Sequence, residues 1–122
     1  MYYRIYEYTN TEGQVAQDGC CTAPDHGLET EAIEHDVRVA SAVGNENRYG
    51  LLRSLVAADG EVCACEFVET LGASQSTVSR GLSELYDAGL VTRRKEGQWR
   101  YYAPTEAAGR LIETFDSIRE GR

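Results

Sequence analysis

The chain has 122 residues and a formal net charge of −8 at pH 7, with 26% of its residues charged and four cysteines. This length is typical of one domain. Because no apolar run approaches the roughly 20 residues of a membrane span, and residues 1–13 lack the basic and apolar regions of a signal peptide, we expect a cytoplasmic protein with no membrane segment.

The negative charge is unevenly distributed along the chain. A net charge of −8 argues against nucleic-acid binding, since affinity for phosphate comes largely from Lys and Arg. Residues 74–103, however, contain five basic and three acidic residues, a local charge of +2 that leaves −10 on the rest. The sequence therefore predicts one basic face on an acidic body.

Residues 1–29 predict an amino-terminal arm, and residues 30–122 a single folded domain. Residues 2–8 are aromatic enough for a strand, and a polar stretch with several glycines follows. The arm carries two adjacent cysteines, Cys20 and Cys21. We expect it to be a loop or an ordered extension of the domain.

Two helices are predicted at the start of the domain. Apolar residues at three- and four-residue steps indicate one helix from Thr30 to Gly44 and a second over about residues 46–58. A third, short helix is expected over residues 64–71, with Phe67, Val68 and Leu71 facing inward.

The fourth helix begins after a serine cap. Ser74 precedes "QSTVSRGLSELYDAG", whose Val78, Leu82 and Leu85 bury one side, and Gly89 ends it. Two helices joined by a short glycine-containing turn predict a helix-turn-helix.

A change of periodicity follows the fourth helix. The segment "LVTRRKEGQWRYY" predicts two strands around a Glu96-Gly97 turn, with alternation at Leu90, Thr92, Trp99 and Tyr101. After Pro104 and Thr105, helical spacing returns and predicts a closing amphipathic helix. The expected fold is therefore mostly α with a small β-hairpin wing, a winged helix-turn-helix.

Residues 31–102 resemble the ArsR/SmtB family of dimeric, metal-responsive winged-helix repressors. The segments "SQSTVSRGLSELYDAGLV" and "RRKEGQWRYY" are similar to that family's recognition helix and wing, and "EVCACEF" to the start of the third helix in its arsenic- and cadmium-responsive members. One departure is Gly81, where a bulkier and usually polar residue is common. The resemblance implies a homodimer on double-stranded operator DNA.

Polar and basic side chains of the fourth helix and the hairpin are the predicted DNA contacts. Short polar side chains near a helix start can reach base edges and phosphates, and Arg can pair with guanine. On the helix these residues are Gln75, Ser76, Thr77, Ser79 and Arg80, and on the wing they are Arg93, Arg94, Lys95 and Arg100.

Cys63 and Cys65 are the predicted start of a binding site. Thiolates are the soft ligands that select thiophilic ions, and sulfurs at i and i+2 converge only where the backbone is extended or entering a helix. The segment after Gly60 meets that condition. Disulfide formation and ordinary buried cysteines are the alternatives.

Cys20 and Cys21 can complete the site, within one subunit or, as in similar repressors, across the dimer. Three sulfurs suit arsenite or antimonite, whereas four suit cadmium, lead or zinc, and the adjacent pair favours the three-coordinate ion. His26 and His35 do not form the zinc pattern of zinc-sensing relatives, so we expect His35 at the surface of the first helix.

The function implied is repression that an arsenite-like ion relieves. A thiol-redox repressor and a non-sensing winged-helix module are the rival interpretations, and no motif indicates an enzyme. The apolar stripes of the first and last helices predict a two-fold dimer interface through Ile33, Val37, Leu111, Ile112, Phe115 and Ile118.

Overall fold

The computed structural model describes residues 21–58 and 60–121, and the predicted strand over residues 2–8 lies outside this part of the chain. Five helices and a three-stranded sheet form the domain. In chain order they are α1 (Thr30–Val43), α2 (Glu46–Ala57), β1 (Val62–Cys63), α3 (Ala64–Leu71), α4 (Gln75–Asp87), β2 (Val91–Glu96), β3 (Trp99–Pro104) and α5 (Glu106–Arg119). The expected winged helix-turn-helix is confirmed.

Side-chain caps and glycines explain where the helices begin and end. The side chains of Asn45, Ser74 and Thr105 each accept a hydrogen bond from a backbone N–H in the first turn of α2, α4 and α5. Gly72 ends α3 at φ +66°, a left-handed conformation that favours glycine. These predicted helix starts and stops are confirmed.

The core lies between α2, α4 and the base of the wing. Its largest fully buried side chains are Leu52, Leu55, Val78, Leu82 and Leu85. Gly81 is also buried, and a Cβ built on it would lie 2.9 Å from Leu51 Cδ1, closer than side chains pack. The glycine that departs from the family pattern therefore lets α2 and α4 approach each other.

Arg48 of α2 joins three helices at one edge of this core. Its guanidinium donates to the carbonyl oxygens of Ala42 and Ser41, both at 2.9 Å, and lies 3.6 Å from a carboxylate oxygen of Glu84. Since the last carbonyls of a helix have no partner within the helix, Arg48 caps α1. This role depends on the packing of α1 against α2, which the local sequence pattern does not reveal.

The wing differs from its prediction in three details. Its turn is at Gly97 and Gln98, one residue later than predicted. Of the predicted alternating set, Leu90 is buried just before β2, but Thr92 and Trp99 are exposed, and within the strands the buried side chains are Val91 and Tyr102. A third strand, β1, pairs antiparallel with β3, giving the order β1-β3-β2. The strand of two residues is too short to have a recognisable pattern.

Candidate DNA-reading face and thiol site

The polar face of α4 is exposed as predicted, with one exception. Gln75, Ser76, Ser79 and Arg80 are all exposed, and their spacing places them on one side of the helix. Thr77 is half-buried, and its backbone N–H and hydroxyl are engaged with the Ser74 hydroxyl at 3.1 and 2.9 Å. Thr77 therefore belongs to the cap of α4 more than to its exposed face.

The strand register divides the predicted wing cations between the two faces of the hairpin. Arg93 is opposite buried Tyr102, and Lys95 is opposite Arg100, so these three basic residues share the face toward α4. Arg94, paired with Tyr101, lies on the other face. We define Arg93, Lys95 and Arg100 as the basic face of the wing.

Two features of the basic face suit an anion. The guanidinium of Arg93 lies 4.0 Å from the ring centroid of Tyr86, which connects the wing to α4. Lys95 and Arg100 are like charges directly opposite each other, an arrangement that is destabilising without a counter-charge. In the described part of the chain neither has an acidic partner, so both remain available to phosphate.

Arg94 is engaged by acidic side chains. Its guanidinium donates to both carboxylate oxygens of Glu61, at 2.8 to 3.1 Å, and to Glu96 at 2.9 Å, while it stacks 4.7 Å from the Tyr101 ring centroid. The hydrogen bond from Arg94 lowers the pKa of Glu61. Arg94, predicted as a DNA contact, thus has its charge neutralised within the protein.

The two thiols of Cys63 and Cys65 converge at the start of α3. Cys63 is buried, its backbone is extended at φ −72° and ψ 137°, and its sulfur accepts a hydrogen bond from the Cys65 N–H at 3.4 Å. The Cys65 side chain is exposed, and the two sulfur atoms are 2.6 Å apart. The predicted extended backbone entering a helix is confirmed.

Protonation of Cys65 is favoured by this arrangement. The hydrogen bond with Cys63 is the main cause that raises the pKa of Cys65, with burial and the nearby charge of Glu66 adding to it. A thiophilic ion binds thiolates, so its binding has to release the proton from this sulfur. For a divalent thiophilic cation, which displaces this proton to solvent, affinity therefore increases with pH.

The remaining predicted sulfurs do not join this pair in the described residues. Cys21 is exposed in a segment without regular structure, and Cys20 lies outside the described part. Residues 21–58 and 60–121 contain no cluster of three His, Cys, Asp or Glu side chains that could hold a metal. Cys63 and Cys65 are thus the two soft ligands that the described residues bring together.

Among the described residues, neither His35 nor the side chains of α5 form a group that could bind zinc. The His35 side chain is 66% exposed beside Asp36, which confirms its predicted surface position. Asp116 of α5 is instead paired with Arg53 at 3.0 Å and Arg119 at 2.6 Å, and the hydrogen bonds from Arg119 and Arg53 lower its pKa. This carboxylate links α5 to α2.

The predicted dimer stripe is partly used within the monomer. Ile33, Val37 and Ile118 are 38%, 56% and 68% exposed, and Phe115 is half-buried. Ile112, by contrast, is only 5% exposed because it belongs to the core of the domain. Ile112 was therefore wrongly included. Leu71, expected to face inward on α3, is likewise 47% exposed, at the end of its helix.

The same segments match a family of regulators. Residues 45–93, which span α2 to the first wing strand, match the model of "Bacterial regulatory protein, arsR family". A protein of Halobacterium salinarum named "Putative arsenical resistance operon repressor ArsR2" is 54% identical over 85% of this chain and 87% of its own length. The chain belongs to the ArsR family.

A second sequence relative and a solved structure are also similar to this ArsR-family chain. A second Halobacterium salinarum protein, "Putative arsenical resistance operon repressor ArsR", is 47% identical over 72% of this chain and 68% of its own. The solution structure of a homodimeric winged helix-turn-helix DNA-binding domain from Mycobacterium bovis, a possible ArsR-family regulator, has a TM-score of 0.68 at 27% identity, covering 81% of this chain and 91% of that domain. None of the helices within residues 21–58 and 60–121 is long and apolar enough to cross a membrane.

Proposed function

We propose that this ArsR-family protein is a cytoplasmic, homodimeric repressor that leaves its operator when arsenite or antimonite binds its cysteine thiolates. The observation that carries the proposal is the convergence of the Cys63 and Cys65 sulfurs, 2.6 Å apart, at the start of α3. That helix is joined to the recognition helix α4 by the short turn through Gly72 and Ser74. A ligand held there acts directly beside the DNA-reading element.

The donor chemistry favours a thiophilic ion. Two sulfurs from Cys63 and Cys65, completed by Cys20, Cys21 or both, make a soft ligand set. Three sulfurs suit arsenite or antimonite, while all four suit cadmium, lead or zinc. The names of the two Halobacterium salinarum relatives, both arsenical resistance repressors, support the first choice.

Operator binding is assigned to α4 and the basic face of the wing. Gln75, Ser76, Ser79 and Arg80 read the major groove, and Lys95 and Arg100 hold phosphate between them. The exposed apolar side chains of α1 and α5 bury each other in the dimer, as the homodimeric Mycobacterium bovis domain supports. The two recognition helices then bind half-sites about one helical turn apart.

Induction follows if operator DNA and the inducer favour different positions of α3. A ligand that repositions the start of α3 changes the placement of α4, and the DNA and the inducer oppose each other by a coupling free energy of about 1–3 kcal/mol. Neither sulfur contacts the DNA face. Sensing and DNA reading are therefore separable by mutation.

Cys63→Ser tests the proposal. Serine is close in size and retains an oxygen to cap α3, so the variant keeps its affinity for the DNA upstream of its own gene but is no longer released by arsenite. The reduced parent protein is titrated with arsenite, antimonite, cadmium and zinc in the same gel-shift assay. Release of Cys63→Ser by arsenite as readily as the parent would contradict the proposal.

Mixed dimers determine where the arm binds. One subunit lacks Cys20 and Cys21, and the other lacks Cys63 and Cys65. If the arm crosses between chains, one complete site is rebuilt and arsenite still releases DNA. If each site forms within one chain, no complete site remains and arsenite has no effect.

A thiol-redox repressor is the second candidate, because the same closeness of Cys63 and Cys65 favours a disulfide. Oxidation would then take two electrons and two protons from the thiols and release DNA without any metalloid. Peroxide and arsenite, applied separately to the reduced protein, discriminate the two functions. Release by peroxide alone would support the redox interpretation.

A further inference from the structure

An ion pair ties the thiol segment to the wing. Glu61 lies two residues before Cys63, and its carboxylate accepts three hydrogen bonds from the Arg94 guanidinium, at 2.8, 3.0 and 3.1 Å. Arg94 belongs to β2, the strand farthest from β1 in the sheet. The pair therefore spans the sheet from the segment before the thiols to the outer strand of the wing.

The strand between them makes the same connection through the backbone. Cys63 is the register partner of Tyr101 in β3, and Tyr101 is the register partner of Arg94 in β2. The Arg94 guanidinium also stacks on the Tyr101 ring, at 4.7 Å from its centroid. Cys63, Tyr101 and Arg94 thus lie in one row across the sheet. The side chain of Arg94 reaches back over this row to Glu61, two residues before Cys63.

A direct DNA role does not explain these contacts. Arg94 lies on the opposite face of the hairpin from Arg93, Lys95 and Arg100, and two carboxylates share its charge. Glu61 would repel phosphate if it lay at the DNA surface. The position and the charge of the Glu61–Arg94 pair therefore both favour a contact that acts within the protein over a contact to DNA.

We propose that the Glu61–Arg94 ion pair couples the thiol segment to the wing, so that DNA on the wing and the environment of the thiols affect each other. Arg94 is then a positioning residue and not a base or phosphate contact. The inference deepens the proposed function and rests on it in one respect, that the thiols are the sensing element.

The shortness of β1 explains why a side-chain link is needed. Only Val62 and Cys63 pair with β3, so the backbone alone connects the thiol segment to the sheet weakly. A bidentate arginine–carboxylate pair fixes both distance and orientation, which a single hydrogen bond does not. Movement of either end is therefore transmitted to the other. By linkage, if a thiol ligand weakens DNA binding, DNA has to weaken that ligand's binding equally.

The test measures this coupling from the DNA side, without any metalloid. The exposed Cys65 thiol is alkylated with iodoacetamide in the full-length reduced protein, alone and saturated with DNA from upstream of its own gene. Peptide mass spectrometry follows Cys65 separately from the other cysteines. Iodoacetamide reacts with the conformation that exposes Cys65, so the rate follows the population of that conformation. A shift of this equilibrium at the lower end of typical coupling is expected to change the alkylation rate of the parent by about fivefold when DNA binds.

Two matched variants locate the connection. Glu61→Gln and Glu96→Gln each remove one carboxylate from the same guanidinium, but only Glu61 lies beside the thiols. Glu61→Gln is expected to reduce the DNA-dependent change to less than about twofold, whereas Glu96→Gln keeps the change of the parent. Arg94→Gln is expected to behave like Glu61→Gln, with an unaltered salt dependence of DNA binding.

The possible outcomes separate this inference from the proposed function. An unchanged Cys65 rate in the DNA-saturated parent, or an equal change in Glu61→Gln and the parent, would overturn the coupling. Protection of Cys63 and Cys65 from alkylation by arsenite, in protein without DNA, tests the proposed function by itself. Arsenite can therefore fail to protect the thiols while the Glu61-dependent effect of DNA remains, or the reverse.

Discussion

Replacing Gly81 by alanine tests whether α2 and α4 pack as closely as the structure shows. Gly81 lies in the middle of the recognition helix, where glycine is a poor helix former, so the helix alone would gain about 0.8–1.0 kcal/mol from alanine. The new Cβ, however, would lie 2.9 Å from Leu51 Cδ1 and 3.5 Å from Arg48 Cγ. The two effects have opposite signs.

The packing cost decides the result. Leu51 is only 2% exposed, so its methyl group has to move within a filled core, at an overpacking cost of about 1–3 kcal/mol. We expect Gly81→Ala to range from neutral to about 2 kcal/mol less stable than the parent. Gly50 in α2 is the matched control, because its added Cβ meets nothing within 4 Å. Gly50→Ala should gain up to about 1 kcal/mol.

Urea unfolding of the two variants and the parent measures the difference. The free energy of unfolding of Gly81→Ala is expected to be about 1–3 kcal/mol below that of Gly50→Ala. Leu51→Val removes the Cδ1 methyl, so in that background the cost of Gly81→Ala should shrink. Equal stabilisation by alanine at positions 81 and 50 would refute the close approach of the two helices.

Other predictions concern DNA binding, the thiols and acid stability. Arg80→Ala should lower the affinity for operator DNA by about 1–3 kcal/mol in competition binding, and an equal loss on random DNA would make Arg80 a phosphate contact. Lys95→Ala should weaken binding to all sequences alike and reduce the salt slope by about one, whereas an unchanged slope would remove Lys95 from the interface. Cys63→Ala removes the main cause of the raised pKa of Cys65, so Cys65 should be alkylated faster at pH 7, and a slower rate would contradict that cause. Asp116 has a pKa below its ordinary value of 3.8, so its stabilising effect is complete above that value and is lost as pH falls through the lowered pKa. Asp116→Asn should therefore be less stable than the parent at pH 7, and the difference in unfolding free energy should shrink as pH falls below 3.8; a difference that does not shrink with falling pH would exclude the ion pairs as its source.

Local signals in the sequence were sufficient for most of the fold. The caps at Ser74 and Thr105 and the stop at Gly72 act through hydrogen bonds and backbone angles within a few residues. The 3.6-residue apolar period likewise depends only on the helix that carries it. The extended backbone at Cys63 was predictable for the same reason, since a turn glycine precedes it and a helix follows.

Contacts between distant segments could be decided only by the tertiary structure. Nothing near Arg94 in the sequence distinguishes it from Arg93 and Lys95, because its face depends on the strand register and its partner Glu61 is 33 residues away. Pairing one residue out of register moves a strand's side chains to the other face, so the face of each wing residue was known only once the pairing of β2 with β3 was known.

The burial of individual side chains likewise depended on contacts between distant segments. The sequence determined that residue 81 is glycine, but only the packing of α2 on α4 reveals that Leu51 occupies the space a side chain would need. Ile112 and Ile118 have the same apolar character on the same helix, yet one is 5% exposed and the other 68%. The helical period defines which side chains share a face, whereas the helices and strands packed against that face determine which of them are buried.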